Sequence, residues 1–254
     1  MKNVSNLIFS LEKDRQIIID DFIKSFSQRE VINFTDMEVL KNAFQNELKD
    51  YLTTITKSEK EDIRSYTGFE FANINAILRN DWNYEKNGLY TEEKRMYYDN
   101  FAKRIENAIR KFPPTGFDFV VYRGINLQFF YKCGVKSLED LNRLVGCFLM
   151  DSGFTSTSLM EEDCFFGHNS FWHNGYKIEM EIKIDGNYSD GIFLGSDDIT
   201  YSLNQKEFLI NSGSVINVTD VVINDQDKTA VVMAILLPDY ILNRSLDDIV
   251  HISL

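Results

Sequence analysis

The sequence predicts an α+β fold, and three observations carry that expectation. In the first hundred residues apolar side chains recur every three or four positions, as they do on the buried faces of helices. Beyond Pro113-Pro114 the period falls to two, most clearly where Tyr176, Ile178, Met180, Ile182 and Ile184 alternate with polar residues. Helices come first and strands later, without the βαβ alternation of a doubly wound sheet.

The elements follow in order. Met37, Leu40, Phe44, Leu48, Tyr51 and Ile55 mark one helix, with Thr35 and Glu38 as its expected capping box. Ser58 and Glu61 form a second expected box, opening a stretch through Ile63 and Tyr66. Thr91 is placed as the cap of a third helix that buries Tyr97, Phe101, Ile105 and Ala108/Ile109. Pro113 and Pro114 end it, since proline lacks the helical N–H and disfavours helix in the residue before it. Phe117 to Tyr122 reads as a strand. A short helix follows, with Leu138, Leu141, Val145 and Phe148 on one face. Gly153 to Ser158 reads as a short strand with Phe154 inward and its hydroxyls outward. Phe208 to Ile210, Val215 to Ile223 and Thr229 to Leu237 complete the strands, with Asn224-Asp225-Gln226-Asp227 as the last turn.

At 254 residues and 44% hydrophobic, the chain is long enough for one large domain with a full core. It shows no internal repeat, low-complexity tract or linker. A net charge of −12, from 27 basic and 39 acidic residues, argues against nonspecific hold on nucleic acid or anionic membrane. Cys133, Cys147 and Cys164 lack CxxC spacing and read as free thiols in a reducing compartment. Glu12, Lys13, Asp14 and Arg15 interrupt the apolar residues of the N-terminus, so no secretory segment is expected, and no run reaches ~18 apolar residues. A cytoplasmic protein without membrane contact is the expectation. His168, His173 and His251 give no metal-ligand spacing, and no metal is expected. Neither a G-x-G-x-x-G nor a G-x-x-x-x-G-K-[ST] segment is present, so a bound dinucleotide would not sit on a Rossmann-type helix N-terminus.

Three short segments carry chemistry: Tyr122-Arg123-Gly124, Ser156-Thr157-Ser158 and Gln205-Lys206-Glu207. Taken singly they are a strand end, an amphipathic strand and a solvated strand edge. Together they supply a planar guanidinium that matches a diphosphate, orienting hydroxyls, and one carboxylate. Cleavage at an anomeric carbon builds positive charge on the sugar, and a nearby carboxylate stabilises it. A leaving group that departs as a neutral molecule needs no general acid, so one carboxylate suffices.

In this order the segments resemble the signature of the mono-ADP-ribosyltransferase toxins, which include the C3-type and actin-modifying bacterial exoenzymes. The resemblance implies two roughly perpendicular mixed β-sheets around an NAD cleft, flanked by helices mostly from the N-terminal half. It implies a catalytic domain over residues 58–254, with 1–57 as a helical extension packed on it. NAD is the implied co-substrate. Glu207 is implied as the catalytic carboxylate, Ser156 as the residue that aims it and meets the nicotinamide ribose, and Arg123 as the group that orients NAD. Gly124 would face the nicotinamide, Gln128 would lie on the NAD side, and Thr157 would hold the strand and the cleft. Tyr66 and Asn75, on a helix over Ser65 to Arg79 with Phe71, Ile74 and Leu78 as its core, would face phosphate or ribose. Phe165 or Phe166 would cover the nicotinamide.

In such enzymes the loop before the carboxylate, here Gly195 to Gln205, recognises the acceptor, which assigns Tyr201 and Gln205 to it. A neutral amide at Gln205 both donates and accepts hydrogen bonds, suiting an amide or a nucleobase amine. The implied acceptor is an Asn or Gln side chain of a target protein, with a protein favoured over a nucleic acid. A nucleic acid base, water (an NAD glycohydrolase) and a non-catalytic binding module remain the alternatives. The implied setting is a toxin–antitoxin, phage or anti-phage system with a neutralising antitoxin or immunity protein. One departure stands out: residues Leu159 to Tyr176 contain neither Arg nor Lys, where relatives carry a second phosphate-binding arginine. His168, His173 and Arg79 are the residues available to replace it.

Overall fold

A computed structural model of the chain describes residues 13–80, 91–164, 172–188, 190–201, 206–242 and 251–252. Helices α1 (Lys13–Ser27), α2 (Met37–Thr54), α3 (Lys57–Ser65), α4 (Phe71–Leu78) and α5 (Glu92–Ile109) precede the strands, and one π-helical turn, Tyr66–Glu70, joins α3 to α4. Two of the three expected caps shift. Asp36, not Thr35, caps α2, accepting from Glu38 N at 2.7 Å and Val39 N at 3.1 Å. Its carboxylate adds charge where the helix dipole favours it. Thr56 and Glu59, not Ser58 and Glu61, form the capping box of α3. Glu59 is held there by Lys111 Nζ at 2.5 Å, and Ile55, buried just before the cap, fixes the entry of the chain. Thr91 caps α5 as expected. Along α5, Phe101, Ile105, Ala108 and Ile109 are buried, but Tyr97 stays on the surface with its ring 5.9 Å from that of Phe101.

Among the described residues ten strands follow: β1 (Phe119–Gly124), β2 (Phe148–Asp151), β3 (Thr155–Ser158), β4 (Trp172–His173), β5 (Tyr176–Ile184), β6 (Gly191–Phe193), β7 (Glu207–Ile210), β8 (Val215–Asn224), β9 (Thr229–Leu237) and β10 (His251–Ile252). Their order is β10-β2-β8-β9-β5-β1-β3-β7-β6, with β4 beside β5. The pairing is mixed: β10–β2 and β5–β9 are parallel, the remainder antiparallel. β1 pairs with β5 over its whole length but with β3 only at Tyr122–Ser158. That single pair joins the β2-β8-β9-β5-β1 half to the β3-β7-β6 half, and the site forms at the junction.

Other expectations are corrected by local geometry. β1 starts two residues later than expected, because Thr115 and Gly116 N–H groups both bind the Gly186 carbonyl in a turn. Arg123 and Gly124 therefore lie inside the strand. The short helix after it is a 3₁₀ segment, Glu139–Leu144. Its three-residue period buries Leu138, Leu141 and Leu144, leaves Val145 exposed, and passes Phe148 to β2.

The core runs across the expected boundary at residue 57. Phe44 of α2 packs on Phe117, Phe119, Phe193 and Phe208, at ring distances of 5.3, 5.5, 4.9 and 6.5 Å. Phe34, Leu40, Tyr51 and Ile55 belong to the same buried cluster. A second cluster joins Ile19 and Phe26 of α1 to Met150, Val215, Ile235 and Leu237. No helix among the described residues is long and apolar enough to cross a membrane.

One buried carboxyl makes the fold sensitive to pH. Glu179 of β5 is 8% exposed. Burial, and then repulsion from Glu161 and Glu181, push it up to about 7 from an ordinary 4.5. The folded state therefore holds this proton more tightly than the unfolded chain. The contribution of this group to stability is complete below its ordinary 4.5 and is lost as pH rises towards 7. Discounted for residual solvent, that loss is about 1–2 kcal/mol. Glu179→Gln is expected to flatten the melting temperature across that window, and parallel pH profiles for the two proteins would refute the assignment.

Candidate active site

β3 and β7 pair in the register Ser158–Glu207 and Ser156–Leu209. Side chains two apart share a strand face, so Ser156 lies diagonally across from Glu207. The Ser156 hydroxyl donates to Glu207 Oε1. Glu207 is the first residue of β7, not the residue before it, and is 6% exposed. Burial raises its pKa, while the Ser156 hydrogen bond and the Arg123 charge draw it back down. Lys206, just before it, has φ +45°, a left-handed conformation uncommon for a non-glycine residue.

Arg123 reaches the same place from β1. Its Nη1 donates to the Ser156 carbonyl at 2.8 Å, and its guanidinium carbon lies 6.0 Å from the Phe129 ring centre. Its Nε is buried with no hydrogen-bond partner. Burial, and the nearby Arg79, lower its pKa, whereas Asp151, Tyr66 and Glu207 favour its charge. A half-buried guanidinium whose buried Nε is unsatisfied, beside a buried carboxylate, suits an anionic ligand that also develops positive charge.

Tyr66 and Asn75 lie beside this group, and both are largely buried. Asn75 Nδ2 donates to the Tyr66 hydroxyl at 3.1 Å, and Asn75 Oδ1 accepts from Phe154 N at 2.9 Å. The pair thus ties α4 to the start of β3. Burial, and then the charge of Glu207, raise the Tyr66 hydroxyl pKa, which places this phenol in the electrostatic field of the carboxylate. Phe71 points out of the core, 51% exposed, because the wider π turn sets α4 out of phase with α3.

The hydroxyls of β3 divide. Ser156 alone of the four is exposed. Thr157 Oγ1 donates to the Phe208 carbonyl at 2.5 Å, and Thr155 Oγ1 donates to Asp151 at 3.2 Å. Burial is tolerated because each finds an acceptor, which corrects the expectation of hydroxyls outward. The Gly124 N–H is spent on the Cys164 carbonyl at 3.3 Å. Gln128 is exposed in the 3₁₀ segment Leu127–Cys133. Arg79 forks onto Asp151, Nε at 2.8 Å and Nη2 at 2.6 Å, and so is already paired. His173 meets Asn174 at 3.2 Å. Gln205, Phe165, Phe166 and His168 lie outside the described residues, as does the side chain of His251.

Tyr201 is 57% exposed, and the Arg64 guanidinium lies 4.4 Å from its ring centre. Its ring leans on Gly68, where a Cβ would sit 2.7 Å from Tyr201 Cδ2. Phe69, 83% exposed, is 6.2 Å from the same ring. Sequence reasoning missed Phe69; its only signal was a position beside Gly68, and no periodicity marks an outward aromatic. Among the described residues no group of His, Cys, Asp and Glu could hold a metal ion.

Solved structures share the fold. Chain coverage and likeness are high for C3stau2 from S. aureus with NAD: TM-score 0.66, 20% identity, 83% of this chain and 100% of that one. Plx2a, an ADP-ribosyltransferase toxin from Paenibacillus larvae, gives 0.64 and 22%, over 82% and 100%. The C3 exoenzyme of Clostridium limosum gives 0.61 and 20%, over 84% and 99%. No curated protein matches the chain. The family model for the ADP-ribosyltransferase exoenzymes matches residues 41–238. That stretch holds Arg123, Ser156 and Glu207 together with the strands that bring them to one place, and the chain belongs to the ADP-ribosyltransferase exoenzyme family, whose enzymes are NAD-dependent.

Proposed function

We propose that this chain cleaves NAD at the nicotinamide–ribose bond and transfers a single ADP-ribose to an amide nitrogen of an Asn or Gln side chain on a target protein. The observation that carries the reading is the hydrogen bond from the exposed Ser156 to the buried Glu207, beside the partly unsatisfied Arg123. Arg123 binds the diphosphate. Glu207, aimed by Ser156, stabilises the ribosyl cation as the C–N bond breaks and nicotinamide leaves with the electron pair. The acceptor nitrogen then bonds to the anomeric carbon and gives up a proton. Gln205 presents the acceptor amide, and Tyr201 with Phe69 forms an exposed aromatic platform against which a protein surface packs. The catalytic unit includes α2, whose Phe44 lies under β1 and β7. The same reading makes the chain an intracellular toxin restrained by a neutralising partner, tested by whether expression arrests growth and Glu207→Gln relieves it.

Incubation with adenine-labelled NAD and a cytosolic extract tests the transfer. Label that protease removes and nuclease does not is the expected result. Label lost only to nuclease would move the acceptor to a nucleic acid, and free ADP-ribose alone would leave a glycohydrolase. Tyr201→Ala is expected to lower protein labelling about tenfold or more, as loss of an interface aromatic does. Nicotinamide release without acceptor should stay near the wild-type rate. An equal loss of both activities would place Tyr201 in NAD binding instead.

A further inference from the structure

We propose that Lys206, the middle residue of Gln205-Lys206-Glu207, is a positioning residue for NAD cleavage: its ion pair with Asp163 fixes where Glu207 meets Ser156. The proposal rests on the reading of Glu207 as the carboxylate that serves cleavage. A lysine at a strand edge ordinarily reaches into water. This side chain is only 13% exposed, and its Nζ lies 2.5 Å from Asp163 Oδ2 and 3.7 Å from Glu162. Asp163 is itself 15% exposed, and its Oδ2 is buried with no hydrogen bond, so Lys206 is its compensation among the described residues. A pair this far from water is held in one geometry, and either partner left alone is disfavoured.

Main chain and side chain of Lys206 pull on the same segment. Its carbonyl accepts the Leu159 N–H at 3.0 Å, one step beyond the Ser158–Glu207 pair. Its ammonium holds the Glu161–Asp163 turn that follows. The chain then passes to Cys164, whose carbonyl accepts the Gly124 N–H at 3.3 Å. One turn therefore grips the residue beside Arg123 on β1 and the residue beside Glu207 on β7. The left-handed φ of +45° at Lys206 is disfavoured for its type and persists only where surrounding contacts enforce it. Released from Asp163, that residue relaxes, and the first residue to move is Glu207.

The test measures nicotinamide release by Lys206→Met, Asp163→Asn, their double variant and Lys206→Arg, with melting curves to show that each is folded. Lys206→Met is expected to lower kcat about tenfold or more, as a small misplacement of a reacting group does, with KM for NAD within about twofold. Asp163→Asn should give the same loss, the double variant no more than either single one, and Lys206→Arg most of the wild-type rate. An unchanged kcat in folded Lys206→Met, or a raised KM at unchanged kcat, would overturn the proposal. Should Lys206→Met fail to fold, Asp163→Asn with wild-type kcat overturns it equally. Carbon-13 titration of the Glu207 carboxyl gives a readout independent of turnover. Loosening of the Ser156 hydrogen bond, which lowers this pKa, is expected to move the midpoint up in Asp163→Asn, where the lost negative charge by itself would move it down. If the wild type releases no nicotinamide, the reading of Glu207 falls. The titration then decides alone: a midpoint unmoved or moved down overturns positioning, and one moved up supports it.

Discussion

Glu207→Gln is expected to lower nicotinamide release on the order of 100- to 1,000-fold, with KM for NAD little changed. The amide keeps the size of the side chain and can still accept from Ser156, so the loss isolates the charge. Burial holds the carboxyl above its ordinary 4.5, and the ionised form is the one that stabilises a ribosyl cation. Activity of the wild type should therefore fall as pH drops through this raised pKa, with the acid limb above the usual carboxylate range. Ser156→Ala removes a hydrogen bond that lowers the pKa, so it should both slow cleavage and move that limb further up. Stability separates chemistry from misfolding. At neutral pH the ionised Glu207 carries a desolvation penalty that glutamine lacks, so the variant should melt no lower than the wild type. Wild-type turnover by a folded Glu207→Gln protein would remove this carboxylate from the mechanism.

The parts of this fold that are legible in the sequence are those set by local period and residue type. The β5 alternation, the Thr91 cap and the change of period at Pro113-Pro114 all have structural counterparts. The caps of α2 and α3 are ambiguous in the sequence because several Ser, Thr and Asp residues compete within a few positions. Lys111, fifty-two residues away, helps settle one of them by binding Glu59. Ser156 and Glu207 are legible as residue types, through the resemblance their segments carry. Their diagonal contact is not, because it depends on strand register between residues fifty-one apart. The outward reading of Thr155 and Thr157 fails because polarity alone does not reveal an acceptor on a neighbouring strand. Arg79 and Asp151, seventy-two residues apart, leave no sequence signal of pairing, so the fork of Arg79 onto Asp151 is not legible in the sequence.

That pair carries the largest expected effect on stability. Asp151 is almost fully buried and accepts from four groups: Arg79 Nε and Nη2, Gly153 N at 2.9 Å and Thr155 Oγ1 at 3.2 Å. It fastens α4 to the corner between β2 and β3, and that corner leads directly into Ser156. Gly153 belongs to the same corner, since a Cβ there would stand 2.8 Å from Asn75 Oδ1 and 2.9 Å from Arg79 Nε. Asp151→Ala leaves a guanidinium 19% exposed without its counter-charge. Removal of one partner from such a pair costs about 3–5 kcal/mol, equivalent to a fall in melting temperature on the order of 10 °C for a chain of this size. Removing both charges costs less than the sum of removing each, because no uncompensated group remains. Arg79→Met/Asp151→Leu is therefore expected to melt above Asp151→Ala. Additive losses in the double variant would mean that the backbone contacts of Asp151, and not its charge pairing, hold the corner. Nicotinamide release should fall in Asp151→Ala even well below its melting temperature, since the strand that presents Ser156 is no longer anchored at its start.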